Sequence, residues 1–445
     1  MNHPRIMLAA PHSGSGKTTI TCGLLSALKT KGLEPCSFKC GPDYIDPMFH
    51  RNVIGIPSGN LDTFFTEDEV TKELFVKEYS GDIAVIEGVM GLYDGIGGVE
   101  LVGSSYDLAR VLNTPIVLVI DAKGAGRSII AQIKGFLDYD NCNLIKAVIL
   151  NKTSKSFGDV LAPLIESELG ITCLGTVLEK KDMELSSRHL GLVLPDEVLD
   201  LQDKLQEEAR LVSEGIDIDK LLSIAGSATD LDVKIASKNI ANANPVKLAI
   251  ARDEAFCFYY RENIEMLKSH GVKIVEFSPL NDSKLPEGIS GILLGGGYPE
   301  NYLQQLSTRA SIKADIKRAL DKGMPVLAEC GGFMYLLNSI TDESGKVYNM
   351  VGAIDGSAIW KGKLVRFGYV TISGDGVAIK GHEFHYYDSD NNGDSLVATK
   401  PTGNRSWQCI HKSGNSFMGF PHLYYPSSPE FVDDFVEAMK KYGRN

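Results

Sequence analysis

The sequence predicts an α/β protein built from more than one unit, each organised around a parallel sheet with crossover helices. Three observations carry this. Short apolar runs alternate with amphipathic stretches from residue 5 to about residue 175, and a second such rhythm begins at Lys247. The chain has 445 residues, about three times a typical ~150-residue domain, so it has material for two or three cores. Its composition, 43% hydrophobic and 23% charged, is that of an ordinary globular protein and not of a disordered or membrane chain.

In the first half, the apolar runs at residues 6–10, 83–87, 116–121 and 147–151 read as buried parallel strands, because each is short and ends in a polar or glycine-containing loop. Their carboxyl ends are where a doubly wound sheet places its ligands. A charged helical pattern spans residues 197–214, with Val198, Leu201, Leu205 and Leu211 at its apolar positions. The stretch 226–245, rich in Ser, Ala, Asn and Asp, reads as a linker between a first domain at 1–225 and a second at 246–445. The second rhythm gives strands at 248–251, 272–277, 289–294 and 325–329 and a helix at 259–269. Residues 347–397 carry glycine-punctuated β-rich pieces such as 364–373, predicting an antiparallel excursion before a closing helix at 429–441.

The loop after the first strand reads Ala10-Pro11-His12-Ser13-Gly14-Ser15-Gly16-Lys17-Thr18-Thr19 and leads into a helical pattern. Glycines let backbone N–H groups approach phosphate oxygens, a helix N-terminus favours anions, Lys17 reaches β/γ-phosphates, and the Thr18 hydroxyl is a Mg²⁺ ligand type. Strand, Gly-x-Gly-Lys-Thr-Thr and helix in that order point to a phosphate-binding loop. Pro11 stands where the full pattern has its first glycine, and His12 where some dimeric ATPases carry a second lysine. Two acidic clusters follow, one around Asp43, Tyr44 and Asp46 and one running from Glu87 to Asp94. Carboxylates at this edge suit Mg²⁺, although Asp43 and Asp94 also suit turn capping beside Pro42 and Gly95. Asn151, ending another strand, is a candidate for the adenine base or for a solvent-facing turn.

In the second half, Val326-Leu327-Ala328-Glu329-Cys330-Gly331-Gly332 runs from an apolar strand through a cysteine and two glycines into a helical pattern. This reads as a nucleophile elbow, with the helix end expected to lower the Cys330 pKa. Gly295-Gly296-Gly297, ending another strand, can aim a backbone N–H at a developing oxyanion together with Gly331. The candidate bases are His382, His385 and His422. The first two are only three residues apart, unlike the zinc-protease H-E-x-x-H.

Six of these motifs, in this order, resemble those of the cobyrinic acid a,c-diamide synthases, glutamine-dependent amidases of corrin biosynthesis, over almost the whole chain. The carriers are residues 11–19, 41–47, 87–95, 295–300, 329–332 and 381–385. The resemblance implies a P-loop synthetase domain similar to dethiobiotin synthetase, followed by a class I type glutamine amidotransferase domain. It implies Cys330 as nucleophile and His422 as its base; Tyr424 occupies the place two residues on where most class I amidotransferases have a Glu, a third member that this subfamily lacks. It implies ATP held by Lys17 and Thr18 with Mg²⁺ and places Glu87 in that site; with the loop and strand-end readings, the expected ATP site is Gly14, Ser15, Gly16, Lys17, Thr18, Thr19 and Asn151, and the expected metal set is Thr18, Glu87 and Asp43. Asp43, Tyr44 and Asp94 match the positions for substrate and intermediate handling. The implied partners are a corrinoid, glutamine and ATP; hydrogenobyrinate and nickel sirohydrochlorin remain open as substrates, and a partitioning-type regulatory ATPase is the alternative class.

A net charge of -12 disfavours nucleic acid or an anionic membrane as partner, so a polycarboxylate needs local cations, with Lys39, Lys123, Arg127 and Lys152 the candidates. No run reaches the ~18 apolar residues of a membrane span, and the apolar stretch near the start is too brief for a secretory signal. Eight scattered cysteines without a C-x-x-C pair fit a reducing compartment, so a cytoplasmic protein is expected. Edge strands of two open sheets permit a homodimer.

Overall fold

A computed structural model describes residues 3–179, 195–233 and 245–444, and the chain forms two compact units, Met1–Ile235 and Ala236–Asn445. The first is built on seven strands, β1 (Arg5–Ala9), β2 (Pro35–Cys40), β3 (Ser58–Leu61), β4 (Ile83–Glu87), β5 (Ile116–Asp121), β6 (Ile145–Asn151) and β7 (Thr172–Val177). They lie in the order β3-β2-β4-β1-β5-β6-β7, and every pair is parallel. The four strands expected from apolar runs are β1, β4, β5 and β6, each in place to within two residues. The other three announce themselves poorly. β2 carries Ser37 and Lys39, and β3 reads Ser-Gly-Asn-Leu, yet all their residues are buried. Their polar side chains satisfy one another: Ser37 Oγ donates to Ser58 Oγ at 2.8 Å and lies 3.0 Å from His50 Nδ1.

Helix α1 (Lys17–Thr30) follows the phosphate loop and buries Leu24, Leu25 and Leu28 against the sheet core. The helix Pro195–Gly215, which covers the expected 197–214 pattern, lies on α1 so closely that a Cβ on Gly23 would come within 2.8 Å of Val212 Cγ2. A further helix, Ile218–Gly226, reaches the first residue of the expected linker, and residues 234–244 of that linker lie outside the described residues.

The second unit has a central sheet of β8 (Val246–Ala251), β9 (Val272–Phe277), β10 (Gly291–Leu294), β11 (Val326–Glu329) and the strands Ser416–Gly419 and His411–Ser413. All pair in parallel except His411–Ser413, which runs antiparallel at the edge. The expected antiparallel excursion is present as two smaller sheets, one of which pairs Arg366–Gly374 with Val377–His385 and then with His422–Leu423. The closing helix Pro429–Tyr442 buries Phe431, Phe435 and Met439 in a core shared with Leu248 and Ile250 of β8. No helix among the described residues is long and apolar enough to cross a membrane.

One buried group sets a pH dependence. Glu208, on the helix Pro195–Gly215, is 2% exposed, and neither carboxyl oxygen has a hydrogen-bond partner among the described residues. Burial pushes its pKa from 4.5 up to about 8. The folded chain therefore keeps a proton that the unfolded chain releases, so the Glu208 contribution to stability falls as pH rises from about 4.5 towards 8, by at most about 1.4 kcal/mol per pH unit. Glu208→Gln is expected to raise the urea midpoint of the first unit at pH 8 and to leave it nearly unchanged at pH 5; equal shifts at both values would contradict this.

Candidate active sites

The loop between β1 and α1 is shaped by two glycines in the left-handed region, Gly14 at φ +81° and Gly16 at φ +94°. Gly16 is required on a second ground, because a Cβ there would sit 2.1 Å from Asn151 Nδ2. Asn151, at the end of β6, donates that nitrogen to the Ser15 carbonyl at 2.8 Å, so its amide braces the loop. Lys152 adds a second brace, donating to the Gly14 carbonyl at 3.0 Å and pairing with Asp121 at 2.7 Å. Lys17 turns inward and donates to the Met90 carbonyl at 2.6 Å and the His12 carbonyl at 3.3 Å. Burial, and then the charge of Lys39, lower its pKa to about 8.

Behind the loop lies a buried ionic cluster. Lys39, on β2, pairs with Asp46 at 2.6 Å and with Glu87 at 2.7 Å, and Thr18 donates to the same Glu87 oxygen at 2.6 Å. Burial opposes the charge on Lys39, but Asp46 and Glu87 outweigh it and hold the ammonium well above its ordinary pKa. One cation faces two carboxylates, and they titrate apart. Burial and the nearby Asp46 push Glu87 up to about 7, whereas Asp46 is held below its ordinary value despite its own burial because Lys39 is bonded to it.

A cavity of about 450 Å³ opens in front, lined by Gly14, Lys17, Thr18, Thr19, Asp43 and Asn151 among others. Ser15, Tyr44, Glu87 and Asp94 do not form its wall, and Glu87 reaches it through Thr18 and Lys39. Asp43 and Asp94 do act as turn caps: Asp43 Oδ1 accepts the Ile45 and Asp46 N–H groups at 2.8 and 3.2 Å, and Asp94 Oδ2 accepts that of Gly91 at 3.0 Å. Burial, with Asp46 beside it, pushes Asp43 up to about 6. The candidate cations are already engaged, Lys123 with Glu179, Arg127 with Glu168, Lys152 with Asp121 and Lys39 with Asp46 and Glu87; only Lys39 and Lys152 line the cavity.

These residues fit a divalent cation. Glu87 Oε2 is fully buried without a hydrogen-bond partner among the described residues, and Thr18 Oγ1 sits beside the same carboxylate. A hydroxyl backed by a carboxylate, at a loop shaped for phosphate, is the oxygen set that Mg²⁺ completes with water and phosphate oxygens. No group of three His, Cys, Asp or Glu side chains among the described residues is arranged to hold a metal alone.

In the second unit Cys330 stands between β11 and the helix Gly331–Leu336, with φ +49° and ψ -105°. Its N–H donates to the Gly419 carbonyl at 2.9 Å. The surrounding glycines are there because backbones touch. A Cβ on Gly332 would lie 2.1 Å from the Leu294 carbonyl oxygen, one on Gly331 2.9 Å from Pro299 Cδ and 3.5 Å from the Gly297 nitrogen, and one on Gly296 2.4 Å from His422 Cε1. The elbow, the Gly295-Gly296-Gly297 turn and the His422 ring are thus brought together.

The three histidines separate by their surroundings. His385 has both nitrogens engaged, with Glu383 Oε2 at 2.9 Å and the Tyr387 carbonyl at 2.6 Å, and stacks on Phe420. His382 lies 3.1 Å from the Tyr260 hydroxyl, and burial, with His422 alongside, keeps it neutral. His422 stacks on His382 at 4.9 Å and meets the elbow through Gly296.

The expected lowering of the Cys330 pKa is not found. Burial, then the carboxylates of Glu300, Glu383 and Glu329, push the thiol well above its ordinary value, and the Gly331 N–H offsets this only in part. The thiol therefore needs a base at the moment of attack. Sequence reasoning also passed over Glu329 as a functional group, although it stands inside the elbow motif. Its Oε2 lies 3.8 Å from His422 Nδ1.

A family model described as the CobQ/CobB/MinD/ParA nucleotide binding domain matches residues 6–193, and one described as the CobB/CobQ-like glutamine amidotransferase domain matches residues 247–425. Three curated proteins similar to the chain are each named cobyrinate a,c-diamide synthase. That of Caldanaerobacter subterraneus subsp. tengcongensis is 40% identical, with 98% of this chain and 99% of the relative covered. That of Picrophilus torridus is 38% identical, covering 97% and 98%, and that of Fusobacterium nucleatum 40% identical, covering 96% and 99%.

The close approach at Gly16 gives a direct test. Gly16→Ala is expected to weaken nucleotide binding at least about tenfold, or about 1.4 kcal/mol, in a titration with a fluorescent nucleotide. Gly135→Ala, where nothing lies within 4 Å of the added Cβ, is expected to bind as the parent does.

Proposed function

The chain belongs to the cobyrinate a,c-diamide synthase family of glutamine-dependent amidotransferase ligases, and from that membership we propose that it amidates the a and c acetate carboxylates of cobyrinate, with ATP activating each carboxylate and glutamine supplying the nitrogen. The observation that carries the nitrogen-donor half is the elbow: a thiol on a tight turn, glycines on two sides, and one histidine ring packed on the Gly296 turn that adjoins it. His422 takes the Cys330 proton as sulfur attacks the glutamine carboxamide carbon. The C–N bond then breaks, ammonia leaves with the proton returned, and water hydrolyses the glutamyl thioester to glutamate. Backbone N–H groups of Gly296, Gly297 and Gly331 stabilise the oxyanion of the intermediate.

In the first unit, a substrate carboxylate oxygen attacks the γ-phosphorus of ATP and ADP leaves. Ammonia then displaces phosphate from the acyl phosphate, giving the amide. Gly14, Ser15, Gly16, Lys17, Thr18 and Thr19 bind the phosphates, and Asn151 recognises the adenine base. For this binding, Lys17 exchanges the Met90 carbonyl for phosphate oxygen. Thr18, with Glu87 behind it and Asp43 across the cavity, would hold Mg²⁺, which when bound neutralises charge on the transferring phosphoryl group. Asp43, which lines the cavity, orients the substrate and its acyl phosphate, and Tyr44 and Asp94, behind the wall, support it from the loops that carry them.

Mass spectrometry of products after incubation with MgATP, glutamine and, in parallel, cobyrinate, hydrogenobyrinate or nickel sirohydrochlorin tests the substrate. Double amidation of cobyrinate is expected; amidation confined to another macrocycle would overturn that choice. For the donor half, Cys330→Ala is expected to abolish glutamine hydrolysis. Cys330→Ser is expected to lose glutamine-dependent amidation while keeping activity with high ammonium, and loss of both activities would contradict the two-site scheme.

A further inference from the structure

A cysteine–histidine pair works only when the imidazole presents one defined nitrogen to the thiol, and a carboxylate on the other nitrogen is a common means of holding it. The chain offers no acid at the place two residues after His422, because Tyr424 stands there, buried and edge-on to Tyr260 at 5.2 Å. A carboxylate reaches the ring from another element. Glu329 is the last residue of β11 and the immediate neighbour of Cys330, and its Oε2 lies 3.8 Å from His422 Nδ1.

The rest of the setting holds this pair in register. Glu329 is 6% exposed, and its Oε1 accepts the Tyr425 hydroxyl at 3.3 Å, which fixes the carboxylate from its far side. Its backbone aligns with Gly419 on the neighbouring parallel strand, three residues before His422. The histidine ring is confined as well, by His382 stacked at 4.9 Å and 16° and by the backbone of Gly296 at its Cε1 edge. His382 is kept neutral by burial and provides no counter-charge. The separation of 3.8 Å is longer than a hydrogen bond, and catalytic contacts of this kind are often long until substrate is bound.

We propose that Glu329 is the positioning residue for His422, holding the imidazole through Nδ1 and stabilising the imidazolium formed when the Cys330 proton moves to Nε2. The carboxylate takes no part in the transfer itself: the proton passes from sulfur to Nε2 and on to the departing ammonia. The nucleophile and the group that orients its base are thus consecutive residues. The inference rests on the amidotransferase reading above.

The test is steady-state glutaminase kinetics on the full chain with Glu329→Gln, which keeps shape and removes charge, and with Glu329→Asp, which keeps charge. Removal of a triad carboxylate lowers kcat by orders of magnitude, and at the longer spacing here a loss of about ten- to a hundredfold is expected for Glu329→Gln. The KM for glutamine and the ammonium-dependent amidation should stay within about twofold of the parent, and Glu329→Asp should recover part of the kcat. Parental kcat in Glu329→Gln would overturn the proposal. So would a loss shared equally by KM and ammonium-dependent activity in both variants, which marks a structural role. Failure of the underlying reading is distinguishable, since it would appear as glutamine hydrolysis surviving Cys330→Ala.

Discussion

A lysine ammonium buried between two carboxylates sets the geometry of the first unit. Removing an ion from water costs several kcal/mol, and the cost is recovered only when partners sit at close range with their remaining valences filled. Lys39 meets that condition with Asp46 and Glu87 at 2.6 and 2.7 Å, and Thr18 adds a hydroxyl to Glu87. These four residues come from β2, the segment after it, β4 and the first turn of α1. Because the charges are satisfied only in one arrangement, the strand ends and the phosphate loop are fixed to one another. The same constraint explains why β2, which carries the polar Lys39, is still fully buried.

The second unit is organised by close approach of backbones. Gly296, Gly331 and Gly332 each stand where a single methyl group would collide with the histidine ring, a proline or a carbonyl oxygen. The elbow is therefore built from missing side chains as much as from present ones. Packing at this density leaves the thiol only partly in contact with solvent and close to the carboxylates of Glu300, Glu383 and Glu329, and these together raise its pKa instead of lowering it. The result is a thiol that stays protonated until a base removes its proton, so the proposed reaction needs the pairing of Cys330 with His422 that an exposed thiolate would not need.

Much of this was legible in the chain, and what was not has identifiable causes. The strands β4 and β5 follow from their apolar runs to the residue, and the two loops follow from glycines at fixed offsets from a lysine and a cysteine. The strands β2 and β3 escape such reading because their burial is secured by polar pairs, Ser37 with Ser58 and Lys39 with Asp46, that exist only after folding. The cysteine pKa escaped for a similar reason: a helix start is visible in sequence, whereas the depth of burial and the approach of Glu300 and Glu383 are tertiary facts. Glu329 was in plain view beside Cys330, but a lone carboxylate carries no periodicity or spacing, and its meaning depends on a histidine 93 positions away.

The backbone of Cys330 has a consequence for how the protein tolerates change. A non-glycine residue at φ +49° and ψ -105° is held in a sparsely populated conformation, at a cost of about 1–3 kcal/mol that the surrounding packing absorbs. Glycine would adopt those angles without that cost. The backbone alone would therefore favour a glycine at the position proposed for the nucleophile, so a chain drifting free of selection for activity would lose that thiol by a change that relieves the strain. Thermal stability is, for that reason, a poor guide to whether a relative of this protein still acts on glutamine.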